Sequence, residues 1–137
     1  ITATFLHYNV SPTLFCFEIT ETVAIQNFSR ATTLIKNLKD FGCTFALDDF
    51  GNGFTSFAYL KNLPVDYLKI DGSYVQNVLE NPIDLALVMA VNDIGHVMGM
   101  KTIAEFVESE EIRQKLQEIG VDYGQGYLFS QPLPLLI

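Results

Sequence analysis

Basic residues are scarce in this chain: eight Lys and Arg stand against 16 Asp and Glu in 137 residues, a formal charge of −8. Binding polymeric DNA or RNA by counterion release needs a basic groove, so no nucleic-acid polymer is expected as a partner. An acidic site loaded with divalent cations is the exception, because the ions then meet the phosphates. Cysteine is equally sparse. Cys16 and Cys43 form no CxxC pair, which argues against a disulfide framework or structural zinc and makes a reducing cytoplasm the expected compartment. No apolar run approaches the roughly 20 residues of a spanning helix; the stretches from Ile83 to Val91 and Leu133 to Ile137 are interrupted or too short. The start lacks a basic region ahead of a long apolar segment, so no secretory signal is expected, although the first residue is not Met.

What is abundant is core material. With 49% hydrophobic and 18% charged residues, the chain can bury a sizeable interior, and intrinsic disorder is excluded. Its pattern is a short β-rich run, a polar or glycine-rich loop, and a helical stretch ending in Gly. Strands are expected at Leu14 to Ile19, Thr44 to Phe50, Tyr67 to Ile70, Lys101 to Glu105 and Tyr123 to Leu128. Leu14-Phe15-Cys16-Phe17 is continuously apolar, as in parallel strands covered on both faces. One expected helix carries Ala31, Leu34, Ile35, Leu38 and Phe41 inward, with Ser29 as N-cap and Gly42 as stop. A second opens at Asn81-Pro82, buries Ile83, Leu87, Ala90, Val91, Ile94 and Val97, and closes at Gly99. Ser109 caps a third, whose Ile112, Leu116 and Ile119 face inward before Gly120. Strands alternating with helices mean an α/β fold with a parallel sheet. A (β/α)8 barrel spends roughly 31 residues per unit, so about four and a half units are present. Periodicity is compatible with a small open sheet and with part of a barrel.

Chemistry gathers where the expected strands end: Glu18 and Glu21, Asp48 and Asp49, Lys69 and Asp71, Glu105 and Glu108, with Gln125 in the fifth. Carboxyl ends of parallel strands line ligand sites, so neighbouring strands would bring these residues to one rim. Carboxylates without Cys or His favour magnesium, manganese or calcium over zinc. Two such ions would balance the acids and could clamp a phosphoryl group during in-line attack. Duller explanations exist for single elements. Glu18 and Glu21 alone could be a helix entry favoured by the macrodipole. Lys69 could equally be a structural partner of Asp71 or another acid. Gly51-Asn52-Gly53 could be only a turn, or a loop that lets backbone approach a ligand. The adjacent aspartates inside Phe45-Ala46-Leu47-Asp48-Asp49-Phe50 point to function, since burying both without partners is costly. His7 and His96 lie outside this set and are expected to be structural or surface residues.

Glu18-Ile-Thr-Glu21, Asp48-Asp-Phe-Gly-Asn-Gly-Phe-Thr-Ser56, Leu60-Lys-Asn-Leu-Pro-Val-Asp-Tyr-Leu-Lys-Ile-Asp-Gly72, Thr102-Ile-Ala-Glu-Phe-Val-Glu108 and Gln125-Gly-Tyr-Leu-Phe-Ser-Gln-Pro132 resemble the successive signatures of the EAL domain, the bacterial cyclic di-GMP phosphodiesterase family. The resemblance covers nearly the whole chain. It implies a modified (β/α)8 barrel of TIM type, hydrolysis of cyclic di-GMP to linear pGpG, and a two-metal site using magnesium or manganese. By motif, Glu18 and Asp48 would be metal ligands, Asp48 bridging, with Asp49 on the second ion. Lys69 would orient the attacking water, and Glu105 would act as metal ligand or general base. Glu108 and Gln125 would support substrate and water. Glu21 would anchor the loop from Phe50 to Phe57 and link catalysis to dimerisation. Phe54 and Thr55 replace the more usual Tyr and Ser of that loop.

The family's Glu-Ala-Leu strand and an Asn-bearing strand, each supplying a metal ligand, would precede Glu18 and have no counterpart here; Asn9 does not fill the place. Residues 1–137 are therefore expected to be a partial EAL domain, its C-terminal five strands, inactive in isolation. A homodimer, upstream sensory or GGDEF domains, and a cytoplasmic location, with a possible inner-membrane tether in upstream regions, accompany the resemblance. The alternatives are a non-catalytic cyclic di-GMP receptor or signalling module and a structural remnant that neither binds nor hydrolyses.

Overall fold

Five strands form one parallel sheet whose spatial order repeats the chain order: β1 (Cys16–Thr20), β2 (Thr44–Phe50), β3 (Tyr67–Ile70), β4 (Lys101–Ala104) and β5 (Tyr123–Gly124). The structure, a computed structural model, describes residues 1–51 and 57–134. Helix α1 (Thr2–Tyr8) precedes the sheet. Between strands lie α2 (Glu21–Gln26), α3 (Phe28–Asp40), α4 (Phe57–Leu60), α5 (Gly72–Gln76), α6 (Pro82–Val97) and α7 (Glu110–Ile119). Strictly consecutive parallel pairing with helical crossovers is the arrangement of successive units in a (β/α)8 barrel. Among the described residues, no helix is long and apolar enough to cross a membrane.

Register separates the two faces. Phe17 pairs with Phe45, Ile19 with Leu47, Leu47 with Leu68, and Leu68 with Thr102, so these side chains share the helix-facing side. There Phe45, Leu47, Leu68, Ile70 and Ala104 join Ile35 and Leu38 of α3, Val88 and Val91 of α6, and Ile112 and Leu116 of α7 in one buried cluster. Each fully buried Ile or Leu in it contributes about 2 kcal/mol relative to an exposed one. The opposite face carries Glu18, Asp48, Lys69 and, beyond β4, Glu105. Alternation along the strands thus turns Phe45, Leu47, Leu68 and Ile70 toward the helices and brings Glu18, Asp48 and Lys69 to the other face.

Several helix ends follow the sequence. The Asn81 side chain accepts the Ile83 N–H at 2.9 Å and the Ser109 hydroxyl the Ile112 N–H at 3.2 Å. Gly42, at φ +110°, stops α3 while the Cys43 N–H reaches back to the Leu38 carbonyl. Ser29, however, is not the cap of α3. The helix begins at Phe28, and the Asn27 carbonyl takes the Ala31 N–H at 2.9 Å.

Burial corrects three further expectations. Leu34 and Phe41 are exposed rather than inward. On α6 the buried face is Val88, Val91, Asn92 and Gly95, while Ile83, Leu87, Ala90 and Val97 face outward, Val97 at 88% exposure. The reason is polar. Thr102 Oγ1 donates to Asn92 Oδ1 at 2.7 Å, and a Cβ on Gly95 would stand 2.8 Å from Thr102 Cγ2, so close approach and a buried hydrogen bond choose the face. At the sheet edge, Pro12–Leu14 form a 3-10 turn and β1 begins only at Cys16; Leu14, Phe15 and Cys16 are exposed because no strand covers that side among the described residues. The fifth strand is short, since the chain turns at Gly126, whose carbonyl takes the N–H groups of Phe129 and Ser130.

Candidate functional site

A bulge in β2 builds the rim. Leu47 pairs with Leu68 and Phe50 with Ile70, so three steps on β2 oppose two on β3. The extra residue is Asp49, at φ +56°, a left-handed conformation that a short polar side chain tolerates. Phe50 is thereby returned to the core, 1% exposed, while both aspartates stay outside it. The Asp48 carboxylate steadies the bulge by accepting the Asp49 N–H at 3.1 Å.

Lys69 is the hub. Its side chain comes up from β3, only 2% of the residue is exposed, and Nζ lies 2.7 Å from Glu105 Oε1, 2.9 Å from Asp48 Oδ1 and 3.0 Å from Glu18 Oε2. Four strands are thus tied by one ammonium group and three carboxylates. Burial alone would push the lysine pKa down, but the hydrogen bonds to Glu105, Asp48 and Glu18 outweigh it and hold the group above its ordinary value. Lys69 is therefore a permanent donor.

Positive charge is nevertheless short here. Burial lifts the Glu105 pKa, against the pull of Lys69, and Asp48 and Asp49 lift it further. Asp49, although exposed at the rim, is also raised, first by partial desolvation and then by Asp48 and Asp71, with Lys69 opposing. Asp48, Asp49 and Glu105 each offer an oxygen, and these atoms all lie within 4.8 Å of one another. A hard divalent cation is what such oxygens accept and what would relieve their mutual repulsion. The donor set fits.

Around this centre the other expected residues divide. Glu108 and Gln125 do not reach the lysine cluster; both are exposed and line a groove of about 590 Å³ that Glu105 also borders, together with Gln76 and Tyr127. Glu21 is buried and accepts the Gly51 N–H at 3.3 Å, so it holds the backbone just after the Asp-Asp-Phe segment. Asp71 is a helix cap rather than a partner of Lys69, its carboxylate accepting the Ser73 N–H at 2.7 Å. Residues 52–56, with Phe54 and Thr55, lie outside the described residues. His96 is structural: its Nε2 is 2.7 Å from Asp122 Oδ2, remote in sequence from the rim.

Two contributors were not legible beforehand. Tyr74 donates its hydroxyl to the Gly51 carbonyl at 2.8 Å, gripping the same residue that Glu21 holds. Gln76 enters the groove from α5. Neither stands at a strand end, which was the signal that found the acids.

The chain is similar in sequence and in fold to known proteins. The cyclic di-GMP phosphodiesterase PdeB of Shewanella oneidensis is 53% identical over 120 residues, which is 88% of this chain and 14% of that protein. The structure of the phosphodiesterase PaMucR in complex with c-di-GMP matches with a TM-score of 0.92 at 30% identity, covering 98% of this chain and 54% of that one. Klebsiella pneumoniae BlrP1, in a manganese and cyclic di-GMP complex, matches with a TM-score of 0.86 at 31% identity over 95% of this chain and 33% of that one. The chain thus spans about half the length, or less, of the proteins it matches. The family model for the EAL domain matches residues 1–132, and the chain belongs to the EAL-domain family.

Proposed function

We propose that this chain forms part of a metal-dependent phosphodiesterase that hydrolyses cyclic di-GMP to linear pGpG. The observation that carries it is the rim on which Lys69 meets Glu18, Asp48 and Glu105, with Asp49 beside them. A non-catalytic receptor would have no need of so complete an arrangement. Asp48, Asp49 and Glu105 would hold magnesium or manganese, with Glu18 adjoining through Lys69. Ions bound there supply Lewis-acid stabilisation of phosphoryl charge and make water a better nucleophile.

The protein's own groups do the rest. Lys69, kept protonated by its three partners, would orient the attacking water through the N–H that one of those carboxylates frees when it turns to hold a metal ion. Glu105 stands where it could accept a proton from that water as it bonds to phosphorus and the ester bond to the 3′ oxygen breaks, that oxygen taking a proton from solvent and leaving as the free 3′ hydroxyl. Glu108 and Gln125 offer polar contacts to the nucleotide in the groove, and Glu21 keeps Gly51 and the following loop in place. The five-stranded arc works within a longer barrel whose preceding strands cover β1. A second copy of the chain pairs with it, supported by the outward apolar stripe of Ile83, Leu87, Ala90 and Val97 on α6, a surface that monomers rarely leave bare.

Asp48→Asn tests the catalytic assignment. Metal-dependent pGpG formation by the longer protein that contains residues 1–137 is expected to fall at least ~100-fold on losing this charge, and undiminished turnover would refute it.

A further inference from the structure

The residue after Glu105 breaks a local rule. Phe106 has φ +52°, and the other described non-glycine residues with positive φ are Asn9 and Asp49. Asn and Asp enter that region readily; a bulky aromatic residue does not. Such a conformation persists where the surroundings over-determine it, and it concentrates at functional sites.

The surroundings here are explicit. The Glu105 N–H donates to the Ile70 carbonyl at 3.2 Å, and the Val107 N–H to the Gln125 carbonyl at 3.0 Å, so the backbone on either side of Phe106 is pinned to β3 and to the segment after β5. Between these pins the ring lies on Gly72, the first residue of α5. A Cβ at position 72 would stand 2.0 Å from Phe106 Cδ2, 2.4 Å from Cγ and 2.7 Å from Cε2. Gly72 itself has no positive φ, so its backbone does not require glycine; the ring does. Phe106 is 53% exposed and borders the same groove as Glu105, Gln76 and Gln125.

We propose that Phe106 is a positioning residue for the metal site, seated on the Cα of Gly72 so that the turn after Glu105, and with it the approach of the Glu105 carboxylate to Asp48 and Asp49, is fixed. This rests on the metal-dependent site proposed above. The ring and the missing side chain at Gly72 are two halves of one device, and each is informative only with the other.

The test is a cycle of Phe106→Gly, Gly72→Ala and the double variant in the longer protein that joins residues 1–137 to the strands preceding β1, with Phe106→Tyr as the conservative control. Mn²⁺ binding is measured by calorimetry beside kcat and KM for cyclic di-GMP. Glycine accepts φ +52° freely, so Phe106→Gly keeps the fold but releases the turn. Its Mn²⁺ affinity is expected to fall roughly tenfold or more, the scale of losing a residue that orients a ligand, with the turnover loss in kcat rather than KM. Gly72→Ala displaces the ring and weakens Mn²⁺ comparably, yet adds nothing once the ring is gone. Phe106→Tyr retains wild-type affinity. Unchanged Mn²⁺ affinity and kcat in Phe106→Gly, with only the melting temperature moved, would overturn the proposal. So would a Gly72→Ala effect that persists undiminished without the ring. If the wild type binds Mn²⁺ but does not hydrolyse, the phosphodiesterase reading fails and the affinity series still decides this one; a wild type that binds no Mn²⁺ overturns both.

Discussion

Lys69 Nζ stands 2.7 Å from Glu105 Oε1, joining β3 to the end of β4 by a contact almost sealed from solvent on the lysine side. Glu105 is also within the oxygen cluster formed with Asp48 and Asp49. One carboxylate therefore serves a fixed ammonium and a candidate metal position, and the stability of the rim and its chemistry are coupled through it.

Lys69→Met removes the only ammonium group that contacts Glu18, Asp48 and Glu105 together among the described residues. Leaving buried charge without its partner costs about 3 kcal/mol, at the low end for a buried pair because Glu18 is half exposed. Urea denaturation without metal is expected to show that loss, and Mn²⁺ to restore much of it by binding the folded state.

Glu21 and Tyr74 hold the N–H and the carbonyl of Gly51 from opposite sides. Glu21→Ala is expected to lower kcat roughly tenfold while leaving Mn²⁺ affinity near wild type, because the residue steadies the segment after the aspartates without entering the metal cluster. Steady-state kinetics beside calorimetry separate the two effects.

Asp122 supplies the pH dependence. Burial opposes its ionisation, but Lys101, the Thr102 N–H and His96 outweigh that and hold its pKa well below the ordinary carboxylate range. A folded pKa below the unfolded one stabilises at pH above the unfolded value, about 3.9, and the contribution disappears as pH falls toward the folded value. Asp122→Asn is expected to cost about 2 kcal/mol near neutrality, with the difference from wild type shrinking in denaturation curves taken at progressively lower pH below about 4.

Gly126 has no room for a side chain: a Cβ there would sit 2.3 Å from both the nitrogen and the oxygen of Val107. The Val107 and Leu128 hydrogen bonds that close the end of the sheet lie at that contact. Gly126→Ala is expected to lose roughly 2 to 3 kcal/mol and to lower the melting temperature accordingly.

The sheet and the rim were legible because both rest on strand periodicity. Thr44 to Phe50 and Tyr67 to Ile70 match β2 and β3 residue for residue, and Glu18, Asp48, Asp49, Lys69 and Glu105 stood out as charge at the ends of apolar runs. Periodicity misled where burial is not governed by hydrophobicity. In α6 the apolar residues outnumber the places on the inward face, and Asn92 and Gly95 take two of those places through a hydrogen bond and a close approach to Thr102 on the following strand. The bulge at Asp49 was invisible for a similar reason, since it is defined only by pairing with β3. Expected coverage of Leu14, Phe15 and Cys16 failed because it depends on a neighbour that the described residues do not supply on that side.

The most direct measurement is chromatography of cyclic di-GMP incubated with the longer protein that joins residues 1–137 to the strands preceding β1, with Mn²⁺ or Mg²⁺ and with chelator in parallel. Metal-dependent appearance of pGpG, abolished by chelator and by Asp48→Asn, is the predicted result. Binding of cyclic di-GMP without pGpG formation in either metal would contradict it and leave a receptor in place of an enzyme.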